Sequence, residues 1–417
     1  MEANAMPAGS TFVIVGASLA GAKAAETLRD EGFDGRIVLI GAEPHHPYER
    51  PPLSKDYLQG RAGRETIFVH DDAWYAEHSV DLRLGTEVTG IDRSQHRVTL
   101  AGGESVGYDK LLLTTGAAPV RLPVPGAAAE GVRYLRTVDD SERLRADFAA
   151  SPSVAVIGAG WIGLEVAAAA RNAGCPVTVL EAAELPLLRV LGPEVARIFA
   201  DLHAEHQVDL RLGVQVSAIT ATGDRVGGVR LDDGTEVGAD VVVVGIGVKP
   251  EVRLAEEAGL EVRDGIVTDA ALRTSDPDIH AAGDVASAFH PLLGRHIRVE
   301  HWANALNQPP AAARAMLGQD VSYETLPFFF SDQYDLGLEY AGYVEPGGYD
   351  QVVFRGDVGT REFIAFWLAK GRLLAGMNVN IWDVSDQIQQ IIAADGQVDP
   401  GLLADPGVPL AETVIRR

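Results

Sequence analysis

The sequence predicts an α/β protein with two Rossmann-like parallel-sheet domains and a third, α+β domain at the C-terminal end. Three observations carry this. The apolar run Phe12-Val13-Ile14-Val15 breaks at Gly16 and passes straight into a helical pattern through Leu28. A second apolar run, Val154 to Ile157, does the same at Gly158. From about residue 323 short alternating strands replace that strand-turn-helix texture.

The first turn reads Gly16-Ala17-Ser18-Leu19-Ala20-Gly21, and the next apolar run, Ile37 to Ile40, is followed by Glu43. An acid about 20 residues beyond a glycine turn is the spacing of a dinucleotide fingerprint, where it takes a ribose hydroxyl. A pyrophosphate needs backbone N–H groups and the positive end of a helix dipole, and bulky side chains in the turn would hold it away. Ser18 stands where the fingerprint has its middle glycine.

The second turn, Gly158-Ala159-Gly160-Trp161-Ile162-Gly163, has all three glycines, a helix through Arg171 that stops at Gly174, and a strand, Val177 to Leu180, ending on Glu181. Two fingerprints imply two dinucleotides. A carboxylate at the position of Glu181 accepts two ribose hydroxyls and repels a 2′-phosphate, so NADH is expected over NADPH. Arg189, close by in sequence, is of the type that accommodates such a phosphate.

Between and beyond these turns the chain reads as follows. A helical segment is expected at Asp56 to Gln59, then a polar region around Trp74 and Tyr75, then short strands at 80–84, 87–89, 97–100 and 111–116. Pro119, Pro123 and Pro125 mark a linker to a charged helix at 139–149, and strands near 208–216, 226–231 and 236–244 complete the second domain. Thr274 to Asp284 reads as a short strand leading to an aspartate at its carboxyl end, where ligands sit in open α/β sheets. Phe363 to Leu374 reads as a hairpin turning at Lys370-Gly371, followed by a helix carrying Ile388, Ile391 and Ile392; the tail after Asp395 gives no pattern. The expected domains are residues 1–118, 119–247, 248–322 (returning to the first) and 323–417.

Of 417 residues 47% are hydrophobic and 23% charged, ordinary for a globular enzyme. A net charge of −24 argues against nucleic acid or anionic membrane as a partner. Arg50, Lys55, Arg61 and Arg64 form one local basic stretch. No apolar run approaches a membrane span, and the first ten residues show neither a basic start nor an apolar signal core, so a cytoplasmic location is expected. The single cysteine, Cys175, fits a small buried hydrophobe and leaves no dithiol to relay electrons. The eleven histidines show no metal-ligand spacing, and no metal is expected.

Taken together, Tyr48-Glu49-Arg50-Pro51-Pro52-Leu53-Ser54-Lys55, Thr114-Thr115-Gly116, the second fingerprint with Glu165, Ala282-Gly283-Asp284 and Phe329-Phe330-Ser331-Asp332-Gln333 resemble the FAD-dependent NADH:ferredoxin reductases of bacterial oxygenase systems. The resemblance spans about residues 11 to 395. It implies a glutathione-reductase-like FAD/NAD fold with a C-terminal interface domain, and electron transfer from NADH through FAD to a 2Fe-2S ferredoxin that feeds a monooxygenase or ring-hydroxylating dioxygenase. It also implies positions. FAD would use Gly16, Ala20, Gly21, Glu43, Arg50, Val88, Arg136, Asp284 and Trp302. NADH would use Gly158, Gly160, Ile162, Gly163, Glu181, Arg189, Gly247 and Glu300.

Lys55 and Glu165 would form a pair beside the flavin, the lysine stabilising its reduced form and the glutamate orienting the lysine. The ordinary alternatives are a solvated Lys55 after a helix N-cap at Ser54, and a Glu165 that merely complements a helix dipole. Two departures from the family pattern stand out: Ser18 for a glycine, and Phe330 where relatives often have tryptophan. Rival functions are a rubredoxin reductase, and an NADH-sensing flavoprotein resembling apoptosis-inducing factor. An NADH oxidase or peroxidase would need a redox cysteine in the first domain, and Cys175 lies in the second.

Overall fold

A computed structural model describes residues 9–415, so most of the first ten residues, on which the expectation about a signal segment rests, lie outside it. In chain order the elements used below are β1 (Thr11–Val15), α1 (Leu19–Asp30), β2 (Arg36–Ile40), β3 (Val80–Arg83), β4 (Lys110–Leu113), β5 (Val132–Arg133), β6 (Val154–Ile157), α2 (Trp161–Asn172), β7 (Val177–Glu181), α3 (Leu188–Glu205), β8 (Asp209–Leu212), β9 (Val241–Val244), β10 (Ile279–Ala281), α4 (Trp302–Met316), β11 (Phe328–Gln333), β12 (Leu336–Gly342), β13 (Gln351–Asp357), β14 (Glu362–Ala369), β15 (Arg372–Val379) and α5 (Ser385–Ala393).

The chain divides into two compact units: Met1–Glu49 with Arg64–Ala118 and Val248–Pro327, and Arg50–Gly63 with Pro119–Gly247 and Phe328–Arg417. The first is built on a five-stranded parallel sheet ordered β10-β4-β1-β2-β3. Its strands are apolar on both faces because both are covered. Phe12, Ile14, Ile37, Leu39 and Leu112 join a core with residues of α1 and α4, while Val13, Val15, Val38, Ile40 and Leu113 join a second core on the other side.

The second unit repeats the plan, with a parallel sheet ordered β8-β7-β6-β9-β5. It also holds an antiparallel sheet ordered β11-β12-β15-β14-β13, in which alternation decides the faces. Phe363, Ala365 and Trp367 pack into one core with Leu191 and Phe199 of α3, and Ile364, Phe366 and Leu368 into another with Ile388 and Ile391 of α5. The β14–β15 hairpin turns at Lys370-Gly371, both at positive φ, the geometry a two-residue turn requires.

Several local expectations differ from the structure. Residues 56–59 form turns rather than a helix, because the preceding Pro51–Ser54 is a single 3₁₀ turn that passes directly into them. The polar region around Trp74 contains a short helix, Asp72–Glu77, started by the Asp71 carboxylate on the Trp74 N–H. The tail after Asp395 is packed, with Val398, Leu403 and Leu410 buried against the antiparallel sheet. Arg355 holds it by donating to the carbonyls of Leu403, Asp405, Pro406 and Val408. Gly and Pro punctuation hid this because the segment is stabilised by tertiary contacts, not by a period of its own.

Candidate functional site: two glycine turns and a buried ion pair

In the first unit, β1 ends at Gly16, whose φ is +119°. A Cβ there would lie 2.2 Å from the Thr114 carbonyl oxygen, so no other residue fits. Thr114 Oγ1 donates to the Gly16 carbonyl at 2.9 Å. A Cβ on Gly21 would sit 2.1 Å from the Gly16 oxygen, which shows how closely α1 approaches the strand end. The α1 N-terminus has no side-chain cap and no acid in its first turn. Such a terminus leaves backbone N–H groups for an anion. The helix Val138–Phe148 makes the contrast, with a complete capping box from Thr137 and Asp140.

Around this turn the carboxyl ends of neighbouring strands deliver Glu43 and Asp284. Glu43 follows β2, accepts a hydrogen bond from the Tyr48 hydroxyl, and has its own carbonyl held by the Gly85 N–H at 2.9 Å. Asp284 follows β10 in a 3₁₀ turn, Gly283–Val285, that is 9% exposed at the aspartate; the Gly283 N–H donates to Gln308 Oε1 at 2.9 Å. A Cβ on Gly283 would touch Ala20 Cβ at 3.4 Å, so this loop lies against the start of α1. Val88 is buried in the strand Val88–Asp92. Trp302 opens α4, and burial pushes the carboxyl of Glu49 up. Glu300 is exposed and paired with Arg298, which also binds Asp264 at 3.0 Å.

In the second unit, Gly158 has φ +98° and a Cβ there would lie 2.4 Å from the Gly245 oxygen; at Gly163 it would lie 2.0 Å from the Gly158 oxygen. At Gly160 it would meet nothing within 4 Å. Packing therefore dictates the outer two glycines, while the middle one leaves open space over an α2 N-terminus that again lacks a side-chain cap and first-turn acid. Glu181 Oε2 accepts from the Ala159 N–H at 2.6 Å and Oε1 from Ala183 at 2.8 Å, so the carboxylate is fixed at the turn. Leu187, at φ +55°, donates to the Ala159 carbonyl and starts α3, where Arg189 is exposed. Gly247 has φ +106° with open space around it. Ile162 and Ile246, 43% and 37% exposed, stand at this turn as large apolar side chains; Ile246 escaped the sequence reading because an exposed isoleucine has no motif.

The Arg50–Gly63 segment packs within the second unit. Ser141 donates to the Leu53 carbonyl and Tyr57 to Glu142, and Arg50 donates to the Arg136 carbonyl. This carries Lys55 to Glu165 on α2, with Nζ 2.8 Å from Oε2 and side-chain exposures of 13% and 3%. The first ordinary alternative fails on these distances, and Glu165 does more than sit near a helix start. Lys55 is not solvated, and Ser54 caps no helix but donates to the same Glu165 oxygen at 2.5 Å. Ser331 donates to the other oxygen at 2.7 Å, and the Phe330 ring lies 5.4 Å from the ammonium. Burial pushes the nearby Asp332 carboxyl up, against the pull of Lys55. The sequence reading used Ser331 and Gln333 only as family marks, since pairing across 166 positions is invisible in one chain.

Cys175 is buried between Phe148 and α2, and burial pushes its thiol up. No described helix is long and apolar enough to cross a membrane.

The family described as pyridine nucleotide-disulphide oxidoreductase matches residues 10–309, and the reductase C-terminal family matches residues 328–414. The chain is 46% identical over 401 residues to the anthranilate 1,2-dioxygenase system ferredoxin–NAD(+) reductase component of Burkholderia cepacia, covering 96% of this chain and 98% of that one. It is 41% identical over 414 residues to putidaredoxin reductase of Pseudomonas putida, covering 98% of each. It superimposes on the reductase in a crystal structure of the covalent putidaredoxin reductase–putidaredoxin complex with a TM-score of 0.94, at 41% identity and 98% coverage of both chains. The chain therefore belongs to the pyridine nucleotide-disulphide oxidoreductase family, in the branch of FAD-dependent ferredoxin–NAD(+) reductases that carry the C-terminal reductase domain.

Proposed function

We propose that this protein oxidises NADH and reduces a 2Fe-2S ferredoxin that serves a monooxygenase or ring-hydroxylating dioxygenase, with FAD on the first glycine turn and NADH on the second. The observation that carries the reading is the pair of uncapped helix N-termini, each behind a glycine turn, with an acid after the next strand in both, Glu43 in the first and Glu181, bonded to its turn, in the second. Bound FAD supplies what no side chain here can, accepting the electron pair of NADH and releasing it one electron at a time.

The residues divide the remaining work. Gly16, Ala20 and Gly21 bring α1 backbone to a pyrophosphate, Glu43 takes a ribose hydroxyl, and Asp284 reaches the polyol chain, with Val88, Arg50, Arg136 and Trp302 completing the FAD contacts. Gly158, Gly160 and Gly163 receive the second pyrophosphate, Glu181 reads the adenosine ribose, Arg189, Ile162 and Gly247 flank it, and Glu300 completes the set. Lys55, held by Glu165, supplies a fixed positive charge to the reduced flavin. With a single cysteine, already buried, no dithiol intervenes, so one NADH reduces two one-electron acceptors. The working location is the cytoplasm, where ferredoxin and oxygenase meet it.

The test is anaerobic: mix the FAD-loaded protein with NADH and oxidised 2Fe-2S ferredoxin and follow flavin bleaching and iron–sulfur reduction. Rapid bleaching with catalytic ferredoxin reduction is expected. Bleaching without transfer to any of several ferredoxins would move the acceptor to rubredoxin, and a long-lived NAD complex without turnover would favour a sensing role.

A further inference from the structure

Glu165 is buried, and the hydrogen bonds on it do not stop at its own donors. Behind Ser331 on β11, Gln333 Nε2 donates to Ser331 Oγ at 3.2 Å, and Gln333 Oε1 lies 2.9 Å from Nε2 of His203 on α3. His203 is fully buried, and burial pushes its imidazole down to about 4, so it is neutral at pH 7 and has one N–H. An amide oxygen opposite Nε2 places that N–H on Nε2 and leaves Nδ1 to accept from the Tyr334 hydroxyl at 3.5 Å. The acceptor end sets the same order: a carboxylate oxygen accepts from Ser331, whose own oxygen then accepts from the Gln333 amide N–H, which turns the Gln333 oxygen to His203. Tyr334 donates to His203, His203 to Gln333, Gln333 to Ser331, and Ser331 to Glu165.

Every link points its positive end toward the carboxylate, an arrangement in which each bond polarises the next. Ser54 and Lys55 donate to the opposite oxygen, so Glu165 is gripped from both sides. Asp332, the residue between Ser331 and Gln333, stays outside the chain because strand alternation sends it to the other face of β11.

We propose that Ser331, Gln333 and His203 form a directed hydrogen-bond chain that positions Glu165, and through it the Lys55 ammonium, for electron-pair transfer from NADH. They are positioning residues, and the C-terminal domain thereby contributes to the reductive step, not only to partner contact. This rests on the placement of Lys55 beside the flavin proposed above.

The experiment compares FAD-loaded wild type with Ser331→Ala and Ser331→Thr, each also in a Lys55→Met background. It reads the rate of flavin reduction at saturating NADH, the Kd for NADH, the flavin midpoint potential, and the rate at which the Lys55 amine is acetylated in competitive labelling. Ser331→Ala is expected to slow reduction roughly tenfold with Kd unchanged, as small misplacements of a reacting geometry do. It should also label Lys55 several-fold faster and shift the potential, while Ser331→Thr restores wild-type values and Ser331→Ala adds nothing once Lys55 is Met. Wild-type rates of both reduction and labelling in Ser331→Ala, or an equal loss in the Lys55→Met background, would overturn the positioning role. If Lys55→Met alone reduces normally, the flavin placement of Lys55 fails instead, and the labelling comparison still judges the chain.

Discussion

Of the three glycine positions of the fingerprint the two turns differ at one, and that position separates folding from binding. In both, the first and last glycines are demanded by the protein itself, since a Cβ would strike Thr114 or Gly245 at the first and the first glycine's own carbonyl at the last. The middle position is not: Gly160 has open space, and Ser18 fits the corresponding place in extended conformation without bonding anything through its hydroxyl to the helix. A serine in an otherwise glycine fingerprint therefore changes only what the ligand meets.

The largest effect should come from an outer glycine. Gly163→Val places carbon against the Gly158 carbonyl and should cost ~4 kcal/mol or more, enough to lose the folded second unit, as read by thermal melts or by soluble yield. A normal melt would mean that α2 can retreat from the strand end.

Acid should act on both units next, since His301 of the first is held down to about 4 by burial as His203 of the second is. The His203 imidazole, ordinarily titrating at 6.5, is held down to about 4, so only the unfolded chain binds a proton there between those values. Stability is complete above about pH 6.5 and falls by roughly 3 kcal/mol as the pH drops to about 4. His280 in the first unit is buried with neither ring nitrogen hydrogen-bonded, and its imidazole is pushed down to about 3, so its loss continues to lower pH. Denaturant melts from pH 7 to 4 should show this slope, and His203→Gln should flatten the upper part; an unchanged slope would place the acid sensitivity elsewhere.

Glu181→Arg should narrow the NADH/NADPH preference by about one order of magnitude or more, measured as the ratio of kcat/KM values. Because Glu181 also ties Ala159 and Ala183, Glu181→Gln is the milder control that keeps an acceptor at the turn. The smallest effects test the middle position directly. Gly160→Ala should leave stability within about 1 kcal/mol yet weaken NADH binding about tenfold, and Ser18→Gly should tighten FAD by about threefold at most, read by fluorescence titration. A large gain from Ser18→Gly would show that the serine does obstruct the first turn.

The same distinction explains what the sequence made legible. Both parallel sheets could be read because each repeats a local pattern of apolar strand, forced glycine and helix, with an acid at a fixed distance. The hairpin at Lys370-Gly371 was legible for the same reason. Lys55 and Glu165 were named through resemblance, yet what holds them was not readable: Ser54 looked like a helix cap because its true acceptor is 111 positions away. His203 lies on an ordinary amphipathic helix, and nothing within α3 separates a core histidine from one wired to a carboxylate. The packed tail after Asp395 was missed because its order comes from Arg355 and the sheet it covers.

The division of the chain also has a consequence for synthesis. The edge strand β10 of the first sheet is made about 160 residues after β4, which it must cover. At ribosomal rates of about 5–20 residues per second, Leu111, Leu112 and Leu113 wait on the order of ten seconds or more with an open, wholly apolar strand edge. The insertion that gives the enzyme its second nucleotide turn thus opens a window of aggregation risk in every newly made copy, one that a chaperone able to shield a single strand edge would close.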